Sequence, residues 1–408
     1  MKIAIIGSGI AGLTAAYYTN QHHDIQVFEA ESWIGGHTHT VKVDGLNIDT
    51  GFIVFNDRTY PQFQKLMDEL GVKYRPTEMS FAVRNDHWDL EYNGNNLNSL
   101  FADRRNLINP KFYRLLSDIL RFNKMVKSGS YDTDLSLGEF IQRNNFSKWF
   151  SHGYILPMGS AIWSMGISEM LEFPLEFFAK FFINHGLLEV VNRPQWFTIE
   201  GGSSQYIEPL TRDFNDKIRL NSRVKKVIRS TNGVEIHVDE EILTFDKVIF
   251  ACHSDQALAL LAEPTKLELD ILGNIKYSDN EVVLHTDTSL LPKRKLAHAS
   301  WNYLISDNSD TQATLTYNMN ILQGLHAHRI YCVTLNSTEL INPNLIRARY
   351  NYSHPIYSRQ AVVAQQRFAE VSGHNNTYFC GAYWKNGFHE DGVVSALMVC
   401  QQLGVKIV

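Results

Sequence analysis

Apolar and polar residues fall along this chain in runs whose period switches between strand-like and helix-like. Residues 3–6 form a short apolar run, 13–22 are amphipathic, and 25–28 form a second apolar run that ends in Glu29. That order predicts strand, helix, parallel strand. A hairpin is expected after Thr38. Residues 59–71 have helical period, with Phe63, Leu66, Met67 and Leu70 on one face and Gly71 as the stop. Residues 78–95 read as β-rich and 109–192 as mostly helical, with many aromatic and long aliphatic side chains. At Phe197 the character changes: a short helix over 206–214 precedes strands at 218–220, 224–228, 234–238, 243–245 and 248–251. A helix over 255–261, a β-rich stretch over 281–336, a helix over 358–371, a strand over 377–381 and a closing helix over 391–403 complete the pattern. No tandem repeat or low-complexity linker interrupts it.

The first turn changes the picture most. Gly7-x-Gly9-x-x-Gly12 sits between the first strand and the helix, and Glu29 ends the next strand, 22 residues after Gly7. Gly7 suits a tight turn, Gly9 removes a Cβ so that backbone can approach a pyrophosphate, and Gly12 lets the helix pack closely. The helix N-terminus faces the phosphates and Glu29 can accept from a ribose hydroxyl. A glycine-rich turn that binds nothing is the plainer reading, but strand, glycines, helix, strand and acid all stand in register.

Composition narrows the class. The 408 residues suffice for about two or three domains' worth of core. A hydrophobic content of 44% and a charged content of 20% are ordinary for a globular protein, and the formal net charge of −5 argues against non-specific nucleic-acid binding. Cys252, Cys332, Cys380 and Cys400 form no C-x-x-C pair, so they read as small buried hydrophobes of a reducing compartment. The chain opens directly on a strand, which leaves no room for a cleavable signal, and no uninterrupted apolar run of about 20 residues is present. The expectation is a cytoplasmic protein, with any membrane contact peripheral to the inner membrane.

With these motifs in place the chain resembles flavin-dependent oxidoreductases of the amine oxidase and phytoene-desaturase superfamily. The resemblance rests on the opening glycines and Glu29, Gly35-Gly36-His37, Asp49-Thr50-Gly51, Gly201-Gly202 with Val224, and Cys380-Gly381 followed by Gly387-Phe388-His389-Glu390-Asp391-Gly392-Val393. The middle region resembles one branch of predicted FAD-binding proteins that accompany cyclopropane-fatty-acid-synthase-like methyltransferases. The residues there are Ile162-Trp163-Ser164, Phe173-Pro174, Asn184-His185-Gly186, Arg193-Pro194-Gln195-Trp196 and Gly201-Gly202-Ser203.

The resemblance implies an α/β fold: a Rossmann-type, glutathione-reductase-like FAD-binding domain assembled from 1–58, 196–265 and 366–408. A mixed α+β substrate domain would come from 59–195 and 266–365. It implies an FAD site formed by Gly7, Ser8, Gly9, Ile10, Ala11, Gly12, Glu29 and Ala30, then by Gly36, His37, Thr38, Asp49, Gly51, Phe52 and Val224. Gly381, Glu390, Asp391, Gly392 and Val393 would close it. Which of Glu390 and Asp391 meets ribityl or phosphate is left open by one residue. His37 departs from the family's Arg: it offers a single neutral donor where an Arg offers a charged fork. Either the phosphate charge is met by helix ends and backbone, or His37 sits nearer the ring. His37 and His39 lack the further partners a metal site needs, so no metal is expected.

A terminal helix starting near Gly392 would bring partial positive charge to the flavin N1–C2=O edge and favour the reduced anionic ring. No catalytic residue is fixed; the candidates are Tyr383, Trp384, His185 and Lys385. Tyr383 and Trp384 either line a substrate cavity or pack in the core, Lys385 either meets flavin or substrate or is solvated, and His185 is either a polar contact or a helix cap. Phe177, Phe178, Phe181 and Phe182, with Tyr154, Ile155, Leu156, Met158, Ile162 and Trp163, form either an apolar tunnel or ordinary core.

Two enzyme readings follow. The first is hydride removal from an apolar substrate, desaturating a (methylated) fatty acyl chain of membrane lipid. The alternative is a flavin amine oxidase producing imine and hydrogen peroxide, although residues 281–301 show no convincing match for the lysine many such oxidases place near the ring. A third reading is a flavin-binding scaffold for a methyltransferase partner. Expected partners are an apolar small molecule or lipid acyl chain and a methyltransferase, and no nucleic acid.

Overall fold

The computed structural model describes residues 1–163, 165–189, 192–305 and 314–406. Ser164 of the branch motif, and residues 306–313 of the β-rich stretch, lie outside the described residues.

Two sheets organise the chain. The first has five parallel strands in the order Ile218–Arg219, β2 (Asp24–Phe28), β1 (Lys2–Ile6), Lys247–Phe250 and Thr377–Phe379. Its central strands are apolar on both faces because both are covered: Ile3, Ala4, Ile5, Val248, Ile249 and Phe250 are fully buried. The glycine-loop helix, α1, spans Ile10–Thr19, and nine of its ten residues are buried. It therefore starts three residues before the expected 13–22 segment and is not amphipathic. The sheet, the 207–211 helix and the C-terminal helix enclose it. The C-terminal helix, His389–Gln402, likewise begins before the expected Asp391, so Gly392 lies inside its first turn. A three-stranded antiparallel sheet (Val224–Ser230, Gly233–Val238, Glu241–Phe245) packs into the same core.

The second sheet has seven strands. Its order is Ile346–Ile356, Lys276–His285, Cys332–Leu335, Leu315–Asn318, Trp301–Ile305, Phe81–Asn85 and Leu90–Asn93. Every neighbouring pair is antiparallel except Trp301–Ile305 with Phe81–Asn85. Helices between 110 and 184, with a π-helical turn at Ser151–Ile155, share a core with one end of it.

Core membership departs from the expected segment boundaries at three places. The helix α2 (Pro61–Glu69) and the strand Tyr74–Thr77, placed after the 58/59 boundary, put Phe63, Leu66 and Met67 into the first core. The helix Lys266–Gly273 adds Ile271 and Leu272, and the helix Arg359–Gln365 adds Ala361 and Ala364. The physical reason is coverage: a parallel sheet buries both faces, and these helices supply apolar residues to that core. The 346–356 strand was not expected at all.

Candidate functional site

Strand order in the first sheet reverses between β1 and Lys247–Phe250, so a crevice opens outside their carboxyl ends. The residues that enter it are those following the two strands: Gly7 to Gly12 on one side, Ala251-Cys252-His253 on the other.

The opening turn is built by missing side chains. Gly7 has φ +106°, and a Cβ there would lie 2.8 Å from the Ala251 carbonyl oxygen. A Cβ on Gly12 would lie 2.0 Å from the Gly7 carbonyl oxygen. Gly9 differs, because among the described residues nothing lies within 4 Å of its Cβ position, which faces open space. Gly36, at φ +59°, brings a second Cβ-free backbone to Gly9, its Cβ position 3.1 Å from the Gly9 Cα. Among the described residues no side chain caps the first turn of α1, where Ile10, Ala11 and Gly12 are buried. Glu29 ties these pieces together. One carboxylate oxygen accepts from the Ser8 amide at 2.9 Å and the Ser8 hydroxyl at 2.6 Å, the other from the Glu31 amide at 2.9 Å. The Gly35 amide donates to Ser8 Oγ at 3.3 Å. Just past Glu29 and Ala30 the chain meets the stretch leading to Val224: the Ser222 amide donates to the Glu29 carbonyl at 2.8 Å.

Asp49 and Gly51 act one layer back. The Asp49 carboxylate accepts from Ser203 N at 2.9 Å, Ser203 Oγ at 2.8 Å and Gln323 Nε2 at 2.9 Å, and from the Thr40 hydroxyl. Burial pushes its pKa up to about 6 against the lowering effect of the Thr40 and Ser203 hydrogen bonds. The acid thus pins the Gly201-Gly202 turn to the 40–49 hairpin. At Gly51 a Cβ would lie 2.1 Å from the His37 carbonyl oxygen, and the Phe52 amide donates to that oxygen at 2.8 Å. The Asp-x-Gly element therefore positions His37.

His37 is enclosed by rings. Tyr352, His354 and His253 lie 5.2, 5.7 and 6.0 Å from it between ring centroids. Its Nε2 has no hydrogen-bond partner among the described residues. Burial, and then the neighbouring His253, push its pKa down to about 4; burial does the same to His253 (about 4) and His354 (about 3). His389 is held well below the usual imidazole value by burial and by His37. It stacks on Phe52 at 3.6 Å and shares a 2.9 Å hydrogen bond with Thr38 Oγ1, joining the Gly-Gly-His loop to the terminal helix. This cluster of neutral histidines went unnoticed in the sequence, although His253 follows a switch-point strand and could have been flagged by that rule.

At the carboxy-terminal end, Gly392 makes close approach to α1: its Cβ position lies 2.8 Å from Ile10 Cγ2, and Val393 is buried beside it. Neither acid is aimed into the crevice by its hydrogen bonds. Glu390 caps α2, accepting from Gln62 N at 3.1 Å and Phe63 N at 2.8 Å. Asp391 accepts from Asn386 N at 3.1 Å and Phe388 N at 3.0 Å, and burial pushes its pKa up to about 7. The Gly381 amide donates to Ser395 Oγ at 2.9 Å, fixing the preceding strand to the same helix.

The four catalytic candidates do not converge. Tyr383 and Trp384 are buried in the first core, with the Trp384 ring edge-on to Phe368 at 5.0 Å. Lys385 is exposed. Trp384 and Lys385 border a small cavity of about 260 Å³ shared with Gln365 and Phe368, to which the glycine loops contribute nothing. His185 caps its own helix: its Nδ1 lies 3.0 Å from the Phe181 carbonyl oxygen, its ring stacks on Phe181 at 3.8 Å, and burial pushes its pKa down to about 4. The proposed tunnel residues are largely packed core. Ile155, Leu156, Phe178 and Phe182 are fully buried, and Trp163 sits against Phe173 at 4.5 Å. Only one face of the Leu175–Asn184 helix turns toward the terminal helix, where Phe177 stacks on Tyr357 at 5.1 Å and Phe181 on Phe388 at 5.4 Å.

Among the described residues no group of three His, Cys, Asp or Glu side chains could hold a metal ion, and no helix is long and apolar enough to cross a membrane.

Comparison with known proteins adds three kinds of likeness. The family of flavin containing amine oxidoreductases matches over residues 10–304. Protoporphyrinogen oxidase 2 of Arabidopsis thaliana is 27% identical over 35% of this chain and 29% of its own length. Zeta-carotene desaturase of a Synechocystis strain is 39% identical over 18% of this chain and 15% of its own. The chain thus aligns with less than a third of either relative. Among solved structures, cyclohexylamine oxidase from Brevibacterium oxydans superposes with a TM-score of 0.71 at 14% identity, covering 99% of both chains. A CLA-producing fatty acid isomerase from P. acnes superposes with 0.70 at 16% identity, covering 98% of both. At such identities the superpositions speak for the fold alone.

Proposed function

The chain belongs to the flavin-containing amine oxidoreductase family, and from that premise we propose that this FAD-dependent oxidoreductase removes hydride from an apolar substrate, desaturating a (methylated) fatty acyl chain of membrane lipid. The residues fit the cofactor. Gly9 presents a backbone face with open space beside it, α1 begins with a buried turn that no described side chain caps, and His37 Nε2 is a buried polar atom without a partner among the described residues. In this reading Gly9, Gly36 and the α1 amides hold the pyrophosphate, Glu29 accepts from a ribose hydroxyl, and the first turn of the C-terminal helix faces the ring. Bound FAD supplies the two-electron acceptor for hydride.

The chain's own residues then set the conditions. A neutral His37 offers a hydrogen bond without adding charge, and the enclosing rings of Tyr352, His253 and His354 exclude water from it. Glu390 and Asp391 hold the helix starts in place, so the partial positive charge at the C-terminal helix is fixed in position.

The observation that carries the apolar substrate is the ring wall where Phe177, Phe181, Tyr357 and Phe388 bring the helical region to the start of the C-terminal helix. Such a wall offers apolar contact along an alkyl chain. The amine oxidase alternative draws on the family as a whole, but the Tyr383/Trp384 pair that motivated it lies in the core against Phe368. A methyltransferase that methylates lipid acyl chains is the proposed partner, and the cytoplasmic membrane surface the proposed place of work. Acyl profiles of cells lacking the protein test the reading, which fails if unsaturated and branched chains are unchanged. Mixing reduced enzyme with oxygen separates the alternatives: fast reoxidation with stoichiometric peroxide supports the oxidase, slow reoxidation the desaturase.

A further inference from the structure

Five large apolar side chains stand in solvent within one stretch of the helical region: Leu97 (76% exposed), Leu107 (48%), Ile108 (86%), Tyr113 (48%) and Leu120 (59%). Leu296, 51% exposed, joins them from the Lys295–Ala297 turn, which packs against the Leu97–Leu100 helix. Isolated exposed leucines are normal; a run of them on neighbouring elements is a patch with a purpose.

The charge around the patch is mostly positive; the exposed acids beside it, Asp89 and Glu189, pair with Arg105 at 2.7 Å and Lys127 at 2.8 Å. Residues 97–127 hold seven Lys and Arg against two Asp, a local excess of five positive charges in a chain whose net charge is −5. Both aspartates are buried and paired, Asp103 with Arg105 and Arg294, and Asp118 with Arg114 and Arg121. Lys111, Lys124 and Lys295 have no acidic partner among the described residues. Along the Pro110–Lys127 helix, Phe112, Leu115, Phe122 and Val126 point into the core. Positions 113, 117, 120, 124 and 127 form the opposite stripe, all exposed: Tyr, Ser, Leu, Lys and Lys, without an acid.

We infer that this face docks on an anionic lipid bilayer. Exposed aliphatic side chains ringed by lysine and arginine match the boundary between acyl chains and anionic headgroups, where apolar groups insert and cations stay with phosphate. A nucleic-acid surface would call for aromatic stacking platforms in place of Leu97, Ile108 and Leu120. The excess negative charge on the rest of the molecule turns this face toward the membrane. The position also suits the chemistry. On the inner side of the same helix Phe122 meets Phe178 edge-on at 6.3 Å, and Phe181 of that neighbouring helix reaches Phe388. The docking surface stands on exposure and charge; it rests on the lipid-acyl reading only for what the docked enzyme does there.

The test is co-sedimentation of the FAD-loaded protein with vesicles of pure phosphatidylcholine and with vesicles of phosphatidylcholine and phosphatidylglycerol in equal parts. Binding is expected to the mixed vesicles alone and to weaken as salt shortens the Debye length. The double variants K111E/K124E and I108E/L120E should each reduce it, the first by about fivefold or more per charge removed, with flavin absorbance unchanged. K225E, on the exposed side of the other domain's antiparallel sheet, should bind as the natural sequence does. Equal binding to both vesicle types, binding insensitive to both double variants, absence of binding, or displacement by a single-stranded oligonucleotide would overturn the inference. Turnover of a detergent-solubilised acyl lipid separates the two claims. Turnover without vesicle binding refutes docking alone, and binding without turnover refutes the substrate alone.

Discussion

In the parallel-sheet region the decisive positions are those where a side chain is missing, whereas in the helical region they are those where side chains crowd. Gly7, Gly12 and Gly51 each leave a place that neighbouring backbone fills to within 2.8 Å of the absent Cβ. Phe122, Phe140, Phe150, Phe178 and Phe182 instead fill a core completely. The first arrangement packs backbone against backbone at the crevice and tolerates almost no substitution. The second excludes water and tolerates change in proportion to volume. In the proposed reading one region binds through its backbone, and the other shapes a surface and a wall through its side chains.

Substitutions should separate the regions. Gly12→Val should have the largest effect, because its Cβ would collide with the Gly7 carbonyl oxygen and then the Ala251 side chain. A loss of more than about 3 kcal/mol, read by thermal denaturation, is expected, and an unchanged midpoint would contradict the turn geometry. Phe178→Ala, in the helical core, should cost about 3–5 kcal/mol yet leave one FAD per chain in the folded fraction. Loss of flavin from folded protein would break the distinction between the regions. Gly9→Ala is the sharper probe. With nothing within 4 Å of its Cβ position, it should leave stability within about 0.5 kcal/mol while weakening FAD binding roughly tenfold, or ~1.4 kcal/mol. Equal FAD affinity would show that the ligand does not approach this face.

These contrasts also explain how far the chain could be read without a structure. The βαβ opening, the glycines and the 224–250 strands were legible because apolar runs and turn residues are local signals. The start of α1 was misplaced because a helix buried on nearly all sides has no polar stripe to mark its first residue. The Ile346–Ile356 strand was missed because all but one of its eleven residues are half-buried or exposed and Pro355 lies within it. With it went Tyr352 and His354, and so the ring cluster around His37. The Phe177 to Phe182 stripe could not be divided into core and wall from spacing alone, since only the partner rings Tyr357 and Phe388 distinguish them.

The smallest effect is one of pH. Burial pushes His37, His185, His253 and His285 down to about 4 and His354 to about 3, and His389 lies well below the ordinary value. Unfolded, all six titrate near 6.5. Their neutral burial therefore supports the fold above that pH and fails as pH falls toward their folded values. Asp49 and Asp391, raised to about 6 and about 7, act in the opposite sense: their contribution is complete below the usual carboxylate range and is lost as pH rises through those values. His23, His39 and His298 are lowered and Glu390 raised as well, and nine groups against three predict that the thermal midpoint of FAD-free protein falls between pH 6.5 and 4. A His37 that stays neutral in the FAD complex predicts the same slope with and without FAD, and a flatter slope with FAD would show a pyrophosphate close enough to favour its protonated form. Parallel slopes with and without FAD would place His37 away from the phosphates.

The most direct measurement is the visible absorption spectrum of the purified protein, followed by FAD titration after the cofactor has been stripped. The account predicts a yellow protein that loses its colour on stripping and regains it at one FAD per chain. A colourless protein that takes up no FAD would contradict it.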